Sequence, residues 1–205
     1  MDVGANVGDV AVAGLNSYPN SKLIAFEPVG NTFYKLKSRL DDYSERVFLF
    51  NYALSDKNGH GEINITTEHG ANSIESQAFF HKKFNPHVQE INKENINLRK
   101  LDDLIEDVPS RKIDILKIDV EGHELKVING GVNFISNYVD VIIIEISLMR
   151  DDSWENQALF TIFEKLNVMG FRLINIYDLH RSSSQSVSLL VQMDCVFRHK
   201  RYLIN

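Results

Sequence analysis

Apolar and polar residues alternate along this chain with two periods. Short runs rich in Val, Ile, Leu and Phe read as strands, and stretches with apolar residues three and four apart read as helices. The strand-like runs fall at 1–3, 22–26, 46–52, 62–66, 96–101, 113–120, 139–147, 171–177 and 187–198. Helical spacing covers 9–16, 31–40, 102–107, 124–129 and 153–168, the last with Leu159, Phe163 and Leu166 on one stripe and Gly170 as its stop. Residues 72–95 are polar, mixed and rich in His and aromatics, and they predict a helical or irregular insertion. The run 139–147 is the most apolar and predicts a central buried strand. Too few residues separate the last two strands for a helical crossover, so they are expected to be antiparallel. The alternation as a whole predicts an α/β fold, a doubly wound and mostly parallel sheet ending in an antiparallel strand pair.

Length fits one domain over 1–205, with an insertion at about 57–100 on the acceptor side of any site. The opening strand has three residues where strands usually have about five or six, and it reads as a truncated start. Apolar residues make up 43% and charged residues 24%, an ordinary globular balance. A net charge of −6 argues against a nucleic-acid partner. The apolar run ending at Leu148 is short and broken by Asp140 and Glu145, so no membrane insertion is expected. Cys195 is the single cysteine; it reads as a buried inert thiol in a reducing, cytoplasmic setting.

Candidate chemistry starts at Asp2-Val3-Gly4-Ala5-Asn6-Val7-Gly8, between a strand and a helix. Gly4 removes a side chain where the backbone passes a ligand, and Gly8 lets the helix approach the sheet. The P-loop pattern is absent, and so is the G-x-G-x-x-G spacing of dinucleotide sites. An acid, Asp2, stands at the strand end instead. It suits a ligand with an ammonium or sulfonium group, and S-adenosylmethionine carries both. Glu27 ends the second strand, 23 residues after Gly4, followed by Pro28. An acid there can accept hydrogen bonds from both ribose hydroxyls, in a nicotinamide cofactor as well as in S-adenosylmethionine. Asn51-Tyr52-Ala53-Leu54 ends the third strand, where Ala53 and Leu54 read either as an adenine wall or as core.

DVGANVG at 2–8, FEP at 26–28, ALSD at 53–56, ILKIDVEGHE at 115–124, IIIE at 142–145 and LVQMDCVF at 190–197 occur in that order. Together they resemble the FkbM family of S-adenosylmethionine-dependent methyltransferases. The resemblance covers nearly the whole chain, with only a loose match in the insertion around Gly70-Ala71-Asn72-Ser73. It implies the seven-stranded class I methyltransferase fold and O-methylation. Carried over by position, Asp2, Gly4 and Asn6 hold the methionine end, Glu27 the ribose, and Ala53 and Leu54 lie near the adenine. The cofactor-binding candidates are therefore Asp2, Gly4, Ala5, Asn6, Gly8, Glu27, Pro28, Ala53, Leu54 and Asp119. Family members commonly carry a segment before the first motif.

Asp119, Glu121, His123 and Glu124 lie within six residues, and Glu145 ends the next strand. Neighbouring parallel strands place Asp119 and Glu145 beside the same cleft. Asp119, Glu121, His123 and Glu145 are the catalytic candidates, one of them a general base that takes a proton from an acceptor hydroxyl. A divalent metal on Asp119, Glu145 and His123 ranks below that reading, because the spacing is no metal signature. In the structural alternative, Glu121 or Glu124 favours a helix start and His123 is solvated. Lys117 predicts an edge or water-filled setting that neutralises an acid. His60, His69, His81 and His87 read as surface residues, and Phe79, Phe80 and Phe84 as a seal for the insertion. The expected acceptor is a sugar, glycan or small metabolite. The alternatives are a nucleotide-cofactor oxidoreductase and a non-catalytic S-adenosylmethionine-binding domain.

Overall fold

The computed structural model describes residues 1–67, 71–74, 88–148, 157–181 and 190–202. In chain order the strands are β1 Asp2–Val3, β2 Leu23–Phe26, β3 Val47–Phe50, β4 Ala53–Leu54, β5 Gly59–Thr66, β6 Glu90–Arg99, β7 Ile113–Ile118, β8 Val139–Ser147, β9 Phe171–Arg181 and β10 Leu190–His199. The α-helices are α1 Asp9–Ser17, α2 Gly30–Arg39, α3 Glu124–Gly130, α4 Val132–Tyr138 and α5 Gln157–Val168. The residues expected at 153–156 and 187–189 lie outside the described residues, as do 75–87 of the insertion.

Seven strands form the main sheet in the order β3-β2-β1-β7-β8-β10-β9. The first five are parallel, and β10 runs antiparallel to both β8 and β9. The chain winds outward from β1 through β2 to β3, then returns to β7 on the other side. That reversal makes the β1–β7 seam the switch point, where a doubly wound sheet opens a crevice at its carboxyl edge. The mostly parallel, doubly wound sheet of seven strands and its antiparallel pair agree with the sequence reading.

Packing explains why these runs became strands. In β7 and β8 the side chains of Leu116, Ile118, Val139, Ile142 and Ile144 are fully buried, and they join Phe134 and Ile135 of α4 in the main core. A second cluster seats Ala11 and Leu15 of α1 and Leu36 of α2 against Ala25 of β2. Burying such a side chain contributes about 1.5–3 kcal/mol, so the apolar stripes fix which helix face meets the sheet. Among the described residues no helix is long and apolar enough to cross a membrane.

The insertion departs from expectation. Residues 90–95 are strand, not helix or irregular chain: β6 pairs antiparallel with β5 from Gly59↔Leu98 to Thr66↔Glu90, and parallel with β4 at Ala53↔Leu98. Only Ile96 and Leu98 of β6 are buried, packing with Ile63, Ala53 and Val29, so its outward face is polar and hides the strand period. The short helix expected at 102–107 is a 3-10 turn, Leu101–Leu104. Asp102 caps a different helix from there: its carboxylate accepts the N–H of Phe134 at 2.7 Å and of Asn133 at 3.2 Å, satisfying the first turn of α4.

Candidate active site

The loop after β1 is built by backbone geometry. The N–H groups of Gly4 and Ala5 both donate to the Phe26 carbonyl, at 3.1 and 3.0 Å, which ties the loop to the end of β2. Gly4 has φ +84°, and a Cβ there would stand 1.8 Å from the Asp119 carbonyl oxygen. The missing side chain therefore lets the ends of β1 and β7 meet, rather than clearing space for a ligand alone. At Gly8, φ +90°, a Cβ would stand 2.7 Å from Leu36 Cδ1, so the close approach expected between helix and sheet is instead one toward α2.

Glu27 is only 6% exposed. Its Oε2 accepts the N–H of Asn6 at 3.0 Å and its Oε1 the N–H of Val29 at 2.9 Å, so one carboxylate bridges two loops. Burial pushes its pKa up to about 7, and those two N–H donors offset part of the rise. Asn51 donates its amide to the carbonyls of Glu27 and Pro28, holding the β2 and β3 exits together.

The acids sit at the carboxyl ends of β7 and β8. Carboxylate oxygens of Asp119, Glu121 and Glu145 lie within 4.8 Å of one another. Burial first, then the charges of Asp119 and Glu121, hold Glu145 well above the usual carboxylate range. Lys117 lies on β7, between β1 and β8, so the expected edge setting is wrong. Its ammonium stands 2.8 Å from Asp119 Oδ2 and 3.8 Å from Asp2 Oδ1. The three-acid group is one that could hold a cation, and Lys117 already places positive charge against it. Glu121 adopts φ +50°, and Ser73 Oγ donates to its carbonyl at 2.6 Å. Glu124 is buried and accepts the Gly122 N–H at 2.6 Å, a structural role in the turn before α3. His123 is 3% exposed, not solvated, and its Nε2 lies 2.9 Å from Ser55 Oγ.

These parts share one open cleft, about 770 Å³ when the solvent in its mouth is counted. Gly4, Asn6, Glu27 and Pro28 line it from the β1 and β2 exits, Tyr52, Ala53 and Leu54 from the β3 exit, and Asp119, Glu121, His123 and Glu145 from the β7 and β8 exits. Asp2, Ala5 and Gly8 do not line it: Asp2 is 4% exposed, lies behind the wall, and has its pKa raised by burial. Ile63, Asn72 and Ile74 complete a wall that the sequence reading missed. The one signal for it was the loose match at 70–73. Asn72 Oδ1 also accepts the Thr66 N–H at 2.8 Å, anchoring that segment to β5. Of the other candidates, His60 is exposed as expected, while His69, His81, His87, Phe79, Phe80 and Phe84 lie outside the described residues. Cys195 is fully buried, and burial pushes its thiol pKa up to about 11, which suits an inert core thiol.

Sheet order and cleft define a class I methyltransferase-like domain. Residues 2–173 match the family described as the methyltransferase FkbM domain, and the chain belongs to that family. It is 25% identical over 185 residues to the AMB antimetabolite synthetase AmbE of Pseudomonas aeruginosa, covering 77% of this chain and 9% of that protein. It is 28% identical over 147 residues to the hexuronic acid methyltransferase AglP of Haloferax volcanii, covering 71% of this chain and 54% of that protein. The 2-O-methyltransferase NoeI of Sinorhizobium fredii is also 28% identical, over 64% of this chain and 56% of its own length. The chain thus spans little more than half of AglP and NoeI, and a small part of AmbE. Among solved structures, the methyltransferase FkbM from Methylobacillus flagellatus superposes with a TM-score of 0.55 at 15% identity, over 97% of this chain and 42% of that one. The Methanococcus jannaschii fibrillarin pre-rRNA processing protein superposes equally well, with a TM-score of 0.55 at 11% identity, over 97% and 65%. The fold is therefore shared by a protein named as an FkbM methyltransferase and one named for pre-rRNA processing, and does not by itself choose an acceptor.

Proposed function

We propose that this domain transfers a methyl group from S-adenosylmethionine to a hydroxyl oxygen of a sugar, glycan or small metabolite. The observation that carries the reading is the convergence, in one cleft, of Glu27 at the β2 exit and the Asp119–Glu121–Glu145 acids at the β7 and β8 exits. The residues fit the cofactor chemically. Glu27 offers carboxylate oxygens to a ribose diol, Ala53 and Leu54 offer an apolar face to an adenine, and Asn6 and Asp119 offer polar groups to an amino-acid end. When bound, the cofactor supplies an electrophilic methyl group on a sulfonium.

The chain's own task is to align the acceptor oxygen with that methyl and to take its proton. Glu145 is the base in this reading. Burial first, and then the neighbouring charges of Asp119 and Glu121, raise its pKa to about 9, so the base is the ionised form whose share grows as pH rises toward that value; it takes the proton from the acceptor hydroxyl as the oxygen–carbon bond forms. Lys117 keeps the charge of Asp119 in place beside it. His123, already engaged with Ser55, keeps the turn before α3 against the cleft. Acidity around the reacting oxygen favours a neutral, polyhydroxylated acceptor, whose hydroxyls donate to carboxylates.

Calorimetric titration with S-adenosylmethionine and S-adenosylhomocysteine, with NAD as control, tests the cofactor. Methyl-label transfer to a panel of sugars and glycosides tests the acceptor. Glu145→Gln is expected to keep the affinity for S-adenosylhomocysteine and to lose about 100-fold or more in turnover. No binding of either sulfur ligand by folded protein overturns the cofactor; label moving only to nitrogen or carbon overturns the O-methylation.

A further inference from the structure

Glu121 holds a backbone conformation that its residue type rarely adopts. The turn from Val120 to His123 is closed by the His123 N–H, which donates to the Val120 carbonyl at 3.4 Å. Both central residues have positive φ, +50° at Glu121 and +101° at Gly122. Such turns favour Gly, Asn or Asp at both central positions. A glutamate at the first of them is strained, and it persists because neighbouring groups fix it. One of these lies just after the turn: Glu124 accepts the Gly122 N–H at 2.6 Å. Another comes from the insertion: Ser73 Oγ donates to the Glu121 carbonyl at 2.6 Å. Ser73 is 2% exposed, and its backbone exchanges two hydrogen bonds with Asn64 of β5, at 2.8 and 3.2 Å. Its hydroxyl is therefore a fixed strut from the insertion to the turn.

The turn sets Glu121 in the cleft, with a carboxylate oxygen within 4.8 Å of those of Asp119 and Glu145. The three acids differ in what they face. Asp119 stands 2.8 Å from the Lys117 ammonium. Glu145 is the base of the reaction proposed above. A hydroxyl reaches a carboxylate oxygen at about 2.7 Å, so hydroxyls on adjacent ring carbons can engage Glu145 and Glu121 together. An ionised carboxylate only accepts hydrogen bonds, so the group opposite Glu121 must be a donor. A hydroxyl meets that demand, and a methoxy group or a bare ring carbon does not.

We propose, on the reading of Glu145 as base, that Glu121 is the specificity-determining residue: it accepts a hydrogen bond from the hydroxyl next to the one that is methylated, and Ser73 is the positioning residue that keeps it there. The acceptor is then a vicinal diol, as on a pyranose ring. The methyl goes to one oxygen and its proton to Glu145, while the neighbouring hydroxyl keeps its proton and donates to Glu121. A buried acceptor left without its donor is costly, so the site rejects an analogue that lacks the second hydroxyl.

Methyl-label transfer to the methyl pyranosides of glucose, galactose, mannose and rhamnose identifies the best acceptor and the oxygen that is labelled. Each hydroxyl beside that oxygen is then replaced, in turn, by hydrogen and by methoxy. One of the two positions is expected to lower kcat/KM about 30-fold or more with either replacement. Glu121→Ala is expected to bring that ratio to within about 3-fold, and Ser73→Ala to lower it about 10-fold. Adding Ser73→Ala to Glu121→Ala is expected to leave the ratio where Glu121→Ala put it, because Ser73 acts through Glu121; a merely structural Ser73 would not cancel in this way. Circular-dichroism melting of each variant separates lost discrimination from lost folding. A crystal structure of Ser73→Ala reads the strut without turnover, and Glu121 is expected to leave positive φ. Label that reaches hydroxyls equally well with and without the neighbour, or a ratio that survives Glu121→Ala, overturns the proposal alone. Label that reaches no hydroxyl overturns the O-methylation and this proposal with it. An unchanged Glu121 turn in Ser73→Ala overturns the role of Ser73.

Discussion

Replacing Glu27 with Gln removes a buried ionisable group while nearly keeping its shape. In the folded protein the carboxyl pKa stands at about 7, against an ordinary 4.5 in the unfolded chain, because burial outweighs the two N–H bonds it accepts. The folded state therefore holds more protons than the unfolded state between those values. Its stabilising share is complete below about pH 4.5 and is lost as pH rises through about 7. A shift of that size corresponds to about 3 kcal/mol, of which about 2.5 kcal/mol falls between pH 5 and pH 8. Other buried acids also titrate in this protein, so the difference between wild type and Glu27→Gln is the quantity to measure. Urea unfolding of both proteins at steps from pH 5 to pH 8 gives it directly. Wild type should lose stability relative to the variant by about 2–3 kcal/mol across that range. The same proton has a second consequence. A ribose diol donates to the carboxylate, so the affinity of wild type for S-adenosylhomocysteine should rise as pH passes through about 7, while that of the variant stays low and flat. Parallel stability curves for the two proteins would refute the buried-carboxyl account. A pH-indifferent wild-type affinity alongside diverging stability curves would refute the ribose role alone.

Gly4→Ala should be far more damaging than its single methyl suggests. The new Cβ meets the Asp119 carbonyl at 1.8 Å, a backbone atom with nowhere to go, and φ +84° is strained for alanine. A loss of at least about 3 kcal/mol is expected, and a melting temperature within about 2 °C of wild type would contradict the packing argument. Asp102→Ala removes the distant cap of α4 and should cost about 1 kcal/mol in urea unfolding, with cofactor affinity unchanged because Asp102 lies outside the cleft.

Those three positions differ in how plainly the sequence announces them. Glu27 is legible because a β-rich run stops at a proline, which places an acid at a strand's carboxyl end. The meeting of Asp119 with Glu145 is legible for a similar reason: two consecutive apolar runs joined by helical chain become adjacent parallel strands, and their ends coincide. Asp102 is not legible as a cap. Its partners are about 30 residues away, and Gly130-Gly131 reads as a helix stop although the chain turns at once into α4. The β5–β6 hairpin is hidden because the first half of β6 carries polar Glu90, Asn92 and Glu94 at the positions that alternate with buried Ile96 and Leu98, so polarity on that face overwrites the alternation. Ile63 enters the cleft on that hairpin, and Asn72 and Ile74 through the separate Asn64↔Ser73 bridge to β5, and no local pattern carries a contact fixed by such pairing.

Asp2 marks the remaining limit, and it also suggests what the first motif does. A strand of two residues has no period, so the sequence places Asp2 at the cleft without fixing which way it points. The structure turns Val3 and Gly4 toward the cleft and buries Asp2 behind them. Among the described residues its Oδ1 has no hydrogen-bond partner, and it stands 3.8 Å from the Lys117 ammonium. An uncompensated buried carboxylate is costly, so Asp2 depends on that ammonium, and Lys117 in turn reaches Asp119 at 2.8 Å. The acid–lysine–acid set is therefore one electrostatic unit spread over β1 and β7, with one cation between two acids. Its outer member faces the cleft and its inner member does not. Asp2 is therefore linked to the cleft through Lys117 and Asp119 rather than by lining it.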